Sequence, residues 1–205
     1  KRAYHLHALP EGWEQMEYTE FLERRRELMA AVIGEAYEKL LHDSPEVSET
    51  DRVPTVLDLI NIGESSEAEF KSTLRINQHT GEKDPRMEWA VLRTIAGFLN
   101  TSDGRLVIGL RDDGSPLGIQ ADAFENEDKM SLHLVNLVKS RMGPQAMTYA
   151  HIHFEDFQDR RIMVIECRSS PTPVFTKNGG DEIFFIRTGP STTQLTPSQT
   201  QEYIQ

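Results

Sequence analysis

At 205 residues and 38% hydrophobic content, the chain can bury the core of one full domain and carry an appendage. Lys and Arg number 22 against 33 Asp and Glu, a formal net charge of -11 with a pI near 5.1, the wrong sign for a protein that coats nucleic acid over its whole surface by counterion release. The single cysteine, Cys167, excludes a disulfide framework within the chain, no apolar run is long enough to span a bilayer, and no signal-peptide pattern opens the sequence, so a cytoplasmic setting with no membrane association is expected.

The first 55 residues read as a helical appendage and linker, the end of a preceding domain, and residues 56–205 as the main domain. Apolar positions Leu22, Met29, Ile33, Ala36, Tyr37 and Leu40 fall on one face of a helix from Thr19 to Leu41, with Thr19 as N-cap and the Arg24-Arg25-Arg26 triplet flanked by Glu23 and Glu27. His42-Asp43-Ser44-Pro45 stops that helix, and Glu46 to Pro54 is polar enough to be a linker. A chain that opens on Lys1 and not on Met reads as a piece of a longer polypeptide, fused to an upstream domain.

Next comes a carboxylate cluster, Glu64-Ser65-Ser66-Glu67-Ala68-Glu69-Phe70-Lys71. Glu88 to Thr101 has Val91, Leu92, Ile95, Phe98 and Leu99 at helical spacing, which predicts an amphipathic helix. After Asn100, Ser102, Asp103 and Gly104, the run Arg105 to Leu110 predicts a buried strand ending at a second acidic element, Asp112-Asp113. Converging carboxylates of this kind hold divalent metals. Asn126 to Met142 is helical and ends at Gly143-Pro144. Tyr149 to Glu155 and Arg160 to Arg168 read as one hairpin, with His151 and His153 on the same face, and no third ligand at a metal-binding spacing. Cys167 reads as a buried small hydrophobe. Asn178-Gly179-Gly180-Asp181 predicts a second hairpin, placing Arg187 at the end of its second strand, and Thr196-Pro197-Ser198 caps a last helix. The fold expected is α+β, a mixed sheet of about six strands with two main helices behind a helical appendage.

Several of these strings occur together in one family. Glu64-Ser65, Glu69-Phe70-Lys71, Phe98-Leu99-Asn100-Thr101, Ile108-Gly109-Leu110, Leu117-Gly118 and Phe185-Ile186-Arg187-Thr188-Gly189 together resemble the Schlafen AlbA-like domain, over about residues 58–205. The family usually has a double glycine after Asn-Thr where this chain has Ser102-Asp103-Gly104. The resemblance implies a module that binds DNA or RNA within a larger regulatory or defence protein. It also implies, from metal-dependent endoribonucleases in the family, that Glu64, Glu69 and Asp112 (or Asp113) form a catalytic site holding Mg²⁺ or Mn²⁺. Separately, the Thr19–Leu41 helix resembles the tail of GmrSD-type restriction proteins in a Phe-Leu-x-x-Arg-Arg pattern.

Nucleic-acid contacts are expected from Lys71, Arg75, Arg93, Arg111 and Arg187, with Arg105 also beside the motifs; Arg187 reads equally as a phosphate contact or as the partner of a carboxylate in the first cluster. No Gly-x-x-x-x-Gly-Lys-Ser/Thr loop is present, so no ATP site is expected. Nucleic-acid binding is placed first, a metal-dependent nuclease second, and a structural domain that forms homo-oligomers third.

Overall fold

The computed structural model describes residues 17–43 and 54–205. The chain divides into two compact units, Lys1–Val53 and Pro54–Gln205. In the first, helix α1 spans Tyr18–Asp43, so Thr19 lies inside the first turn and is not its cap. Leu22, Met29 and Ile33 of its expected apolar face are exposed; the side chains of Ala36, Tyr37 and Leu40, and the expected linker up to Val53, lie outside the described residues.

The second unit is α+β. Its elements run α2 (Val56–Ile62), β1 (Ala68–Lys71), α3 (Pro85–Thr101), β2 (Gly104–Ile108), α4 (Glu127–Met142), β3 (Ala150–Phe157), β4 (Arg160–Cys167), β5 (Phe175–Asn178), β6 (Asp181–Thr188), β7 (Ser191–Leu195) and α5 (Pro197–Ile204). Local chemistry sets the helix ends. Thr55 and Asp58 form a reciprocal capping box on α2, as do Thr196 and Gln199 on α5. Asp84 caps α3 ahead of Pro85, and Asn126 caps α4, which Gly143 ends at φ 88°.

Where one mixed sheet of about six strands was expected, the described residues form two sheets. A four-stranded sheet runs in the order β1-β2-β4-β3, with β1 parallel to β2 and the remaining pairs antiparallel. A three-stranded antiparallel sheet runs β5-β6-β7. The strand β7 carries only Leu195 as a large apolar residue, so no alternation announces it; its extended form comes from pairing with β6.

The four-stranded sheet is covered on both faces. One face sends Leu106, Ile108, Met163, Ile165 and Cys167 against Val91, Ile95, Phe98 and Leu99 of α3 and against Met130, Leu134 and Val138 of α4. The other sends Ala68, Phe70, Val107, Ile162 and Val164 against Val56 and Leu59 of α2. Cys167 is buried, and desolvation pushes its thiol far up, so it is the small hydrophobe expected of it.

Two long-range polar anchors fasten this core. The Asn100 amide donates to the carbonyls of Val174 (2.8 Å) and Phe185 (2.9 Å) and accepts from the Val174 N–H (2.8 Å), tying the end of α3 to β5 and β6. Asp122, fully buried, accepts the consecutive N–H groups of Leu74 (2.7 Å), Arg75 (2.8 Å) and Ile76 (3.2 Å). Burial pushes its carboxyl up, and the three N–H groups with nearby Arg75 pull it back. Asp122→Ala leaves those three amides without an acceptor and is expected to destabilise the fold by about 3 kcal/mol, read as a lower urea midpoint at unchanged m-value.

Candidate functional site

The first and last motif strings meet at the β1 edge of the four-stranded sheet. Glu69 and Lys71 alternate with Ala68 and Phe70 along β1, so they point to the α3 side while their neighbours enter the α2 core. Arg187, near the end of β6, crosses to them. Its Nη1 donates to Glu69 Oε2 at 2.9 Å and to Thr192 Oγ1 at 3.2 Å, and its Nη2 donates to the carbonyls of Ser65 and, at 3.4 Å, Ala68. The side chain is only 1% exposed, and its guanidinium lies 4.8 Å over the Phe98 ring. Lys71 Nζ takes the other Glu69 oxygen, Oε1, and also bonds the Phe70 carbonyl.

Close approach makes this joint possible. A side chain at Gly104 would begin 2.3 Å from the Phe98 ring, and one at Gly97 would lie 3.3 Å from the Thr192 methyl and 3.4 Å from Arg187 Cδ. Thr101 Oγ1 accepts the Arg187 N–H at 2.9 Å. Asp103, which stands in place of the usual glycine, accepts the Ser169 N–H at 2.8 Å, so its charge caps a backbone amide.

The described structure therefore joins Glu69, Lys71 and Arg187 through their side chains, and none of the other expected site residues pairs with these three side chains. Glu64 is exposed and accepts the Phe70 N–H at 3.3 Å. Asp112 is exposed in the turn after β2, while the Asp113 carboxylate is held below its ordinary range by the hydroxyl and N–H of Ser115. Among the described residues no three His, Cys, Asp or Glu side chains gather closely enough to hold a metal ion. Both Glu69 oxygens already face cations, Oε1 the Lys71 ammonium and Oε2 the buried Arg187 guanidinium, so Mg²⁺ or Mn²⁺ would have to displace one of them. The three-carboxylate set does not fit a metal in this geometry. His151 and His153 share a face as expected, and His153 Nε2 lies 2.8 Å from Glu155 Oε1.

The expected cationic contacts divide into two groups. Arg187 is spent inside the protein, so of its two equal readings the geometry holds the carboxylate pairing. Arg75 donates to the carbonyls of Asp122 (3.0 Å) and Ala123 (2.8 Å) and lies 3.5 Å over the Phe124 ring. Arg105 bonds the Pro54 carbonyl and pairs with Glu166 at 3.3 Å. Arg93 is exposed on α3 with no hydrogen-bond or ion-pair partner among the described residues, and Arg111 is exposed with only a 3.3 Å bond to Ser115 Oγ. Arg160 was not singled out by sequence. It opens β4, three residues before Met163, the partner of the last residue of β2, and is exposed and packed along Gly118. It directly follows the Gln158-Asp159 turn, both residues at positive φ, and no local sequence pattern marked it.

Removing either member of the buried pair is expected to cost about 3–5 kcal/mol. In a double-mutant cycle of Glu69→Ala and Arg187→Ala by urea unfolding, the double variant should lose clearly less than the sum of the single variants.

The family described as Schlafen, AlbA_2 matches residues 64–196. No curated protein matches. Among solved structures, the chain is similar to the DIP2311 protein from Corynebacterium diphtheriae, with 16% identity and a TM-score of 0.47 over 67% of this chain and 26% of that one. It is also similar to the N-terminal domain of a protein from Nitrosomonas europaea described as ATP-dependent DNA helicase RecG-related, with 19% identity and a TM-score of 0.44 over 63% of this chain and 84% of that one. The chain thus spans about a quarter of the length of the first of these structures. The family match covers more than half of the chain and includes both strings that meet at Arg187, and the chain belongs to the Schlafen AlbA_2 family.

Proposed function

We propose that residues 54–205 form a nucleic-acid-binding module, with phosphate contacts from Arg111 and Arg160 at the end of the sheet where β2 finishes and β4 begins, and from Arg93 on α3. Family membership supports the class of ligand. The observation that carries the assignment of residues is the division among the arginines: Arg75, Arg105 and Arg187 spend their donors on carbonyls and carboxylates, whereas Arg93, Arg111 and Arg160 stand exposed with donors to spare.

Acidic residues outnumber basic ones in the chain, so binding through a few local contacts is expected and not a broad electrostatic coat. Three phosphate contacts give a salt slope of about -2 to -3 in log K against log salt. The test is a gel shift with labelled transfer RNA, single-stranded DNA and duplex DNA, each with Mn²⁺ and with chelator, across salt. The reading predicts a shift without cleavage in both conditions, and a slope reduced by about 1 in Arg111→Ala and in Arg160→Ala. No shift at low salt would reject it. Cleavage that needs Mn²⁺ and is lost in Asp112→Ala, an exposed position that leaves the core untouched, would replace it with the nuclease reading.

A further inference from the structure

The strand β3 is an outer strand of the four-stranded sheet, and eight residues long. Beyond its ladder with β4, no backbone hydrogen bond from the described residues reaches residues 151–157. The opposite edge differs. There β1 is four residues long and its Ala68 carbonyl is taken by Arg187. Exposed edges are ordinarily blunted by Pro, Lys, a bulge or a covering segment. Residues 150–157, Ala-His-Ile-His-Phe-Glu-Asp-Phe, contain no Pro, Gly or Lys, and their register with β4 runs without a bulge.

The two faces of β3 are also unlike. Ile152 and Phe154 are partly buried and pack against the main core, while His151, His153 and Glu155 lie on the other face. We propose that β3 pairs antiparallel with β3 of a second copy of this chain, about a two-fold axis at His153, extending the sheet across both copies. With the axis there, His151 stands opposite Glu155 of the second copy and Ile152 stands opposite Phe154, and symmetry repeats each pair.

Side-chain complementarity selects this register. An axis at Ile152 would set His151 against His153 and Ala150 against Phe154. An axis at Phe154 would set His153 against Glu155, but Ile152 against the Asp156 carboxylate. Of these three, the His153 axis alone joins acid–histidine pairs on one face to Ile152–Phe154 pairs on the other, with His153 facing its own counterpart on the axis. Glu155 is already held toward that face by its 2.8 Å contact with His153, so its carboxylate stands where His151 of the second copy arrives. Pairing through a single strand buries little area, so the dimer is weak and concentration-dependent.

Sedimentation equilibrium of the 205-residue chain over a wide concentration range should show a monomer–dimer equilibrium. Glu155→Arg should lower the association constant by about tenfold, and His151→Glu/Glu155→Arg should restore it, since the swap rebuilds both cross-strand pairs. His153→Cys places the two thiols directly opposite, with Cβ atoms about 5 Å apart. It should therefore form a disulfide-linked dimer under mild oxidation much faster than His151→Cys, with buried Cys167 as a silent background. A chain that stays monomeric throughout, a dimer indifferent to Glu155→Arg, or equal cross-linking at positions 151 and 153 would each overturn the proposal.

Discussion

The contact on which the second unit depends is the buried pair of Arg187 and Glu69. A guanidinium that is 1% exposed must find partners or cost several kcal/mol, and its Nη1 and Nη2 find them on the carboxylate of Glu69, the carbonyls of Ser65 and Ala68 and the Thr192 hydroxyl, with the face of Phe98 beside it and Nε left without a partner among the described residues. Through this one side chain the three-stranded sheet is joined to the edge of the four-stranded sheet, across a separation of 118 residues. The helix α3 is the bearing between them. Gly97 lets it approach β6 and β7, and Gly104 lets its Phe98 lie flat beneath the arginine.

The family strings therefore have a structural explanation before any functional one. Phe98-Leu99-Asn100-Thr101 supplies in turn a ring under the guanidinium, a core leucine, an amide that satisfies two backbone groups of Val174, just before β5, and one of Phe185 in β6, and a hydroxyl that receives the Arg187 N–H. The acidic string supplies the counter-charge. Of the residues that resemble a metal-binding set, Glu69 is in this chain occupied in holding two sheets together.

Much of the fold was legible in the sequence because local signals agreed with the tertiary structure. The helical periods of α3 and α4, the Gly143-Pro144 stop and both hairpin turns identified those elements. What was not legible depended on partners distant in sequence. The split into two sheets, the strand β7 and the three amides gathered by Asp122 arise from pairings that no local pattern encodes. The same limit governed the site. Sequence placed Arg75, Arg93, Arg111 and Arg187 near the motifs alike, but only three-dimensional packing separates those locked onto carbonyls and carboxylates from those free to meet a ligand. Arg160 was missed because its place at the end of the sheet where β2 finishes follows from sheet order.

On this account the motif residues build the scaffold and a few arginines outside it meet the ligand. The most direct measurement is the rate at which each arginine of the native chain reacts with an arginine-selective dicarbonyl, followed by mass spectrometry with and without nucleic acid. The account predicts rapid modification of Arg93, Arg111 and Arg160, protection of these three by nucleic acid, and no modification of Arg187 until the chain unfolds. Native-state modification of Arg187 as fast as that of Arg93, or protection by nucleic acid at Arg187 and not at the exposed three, would contradict it.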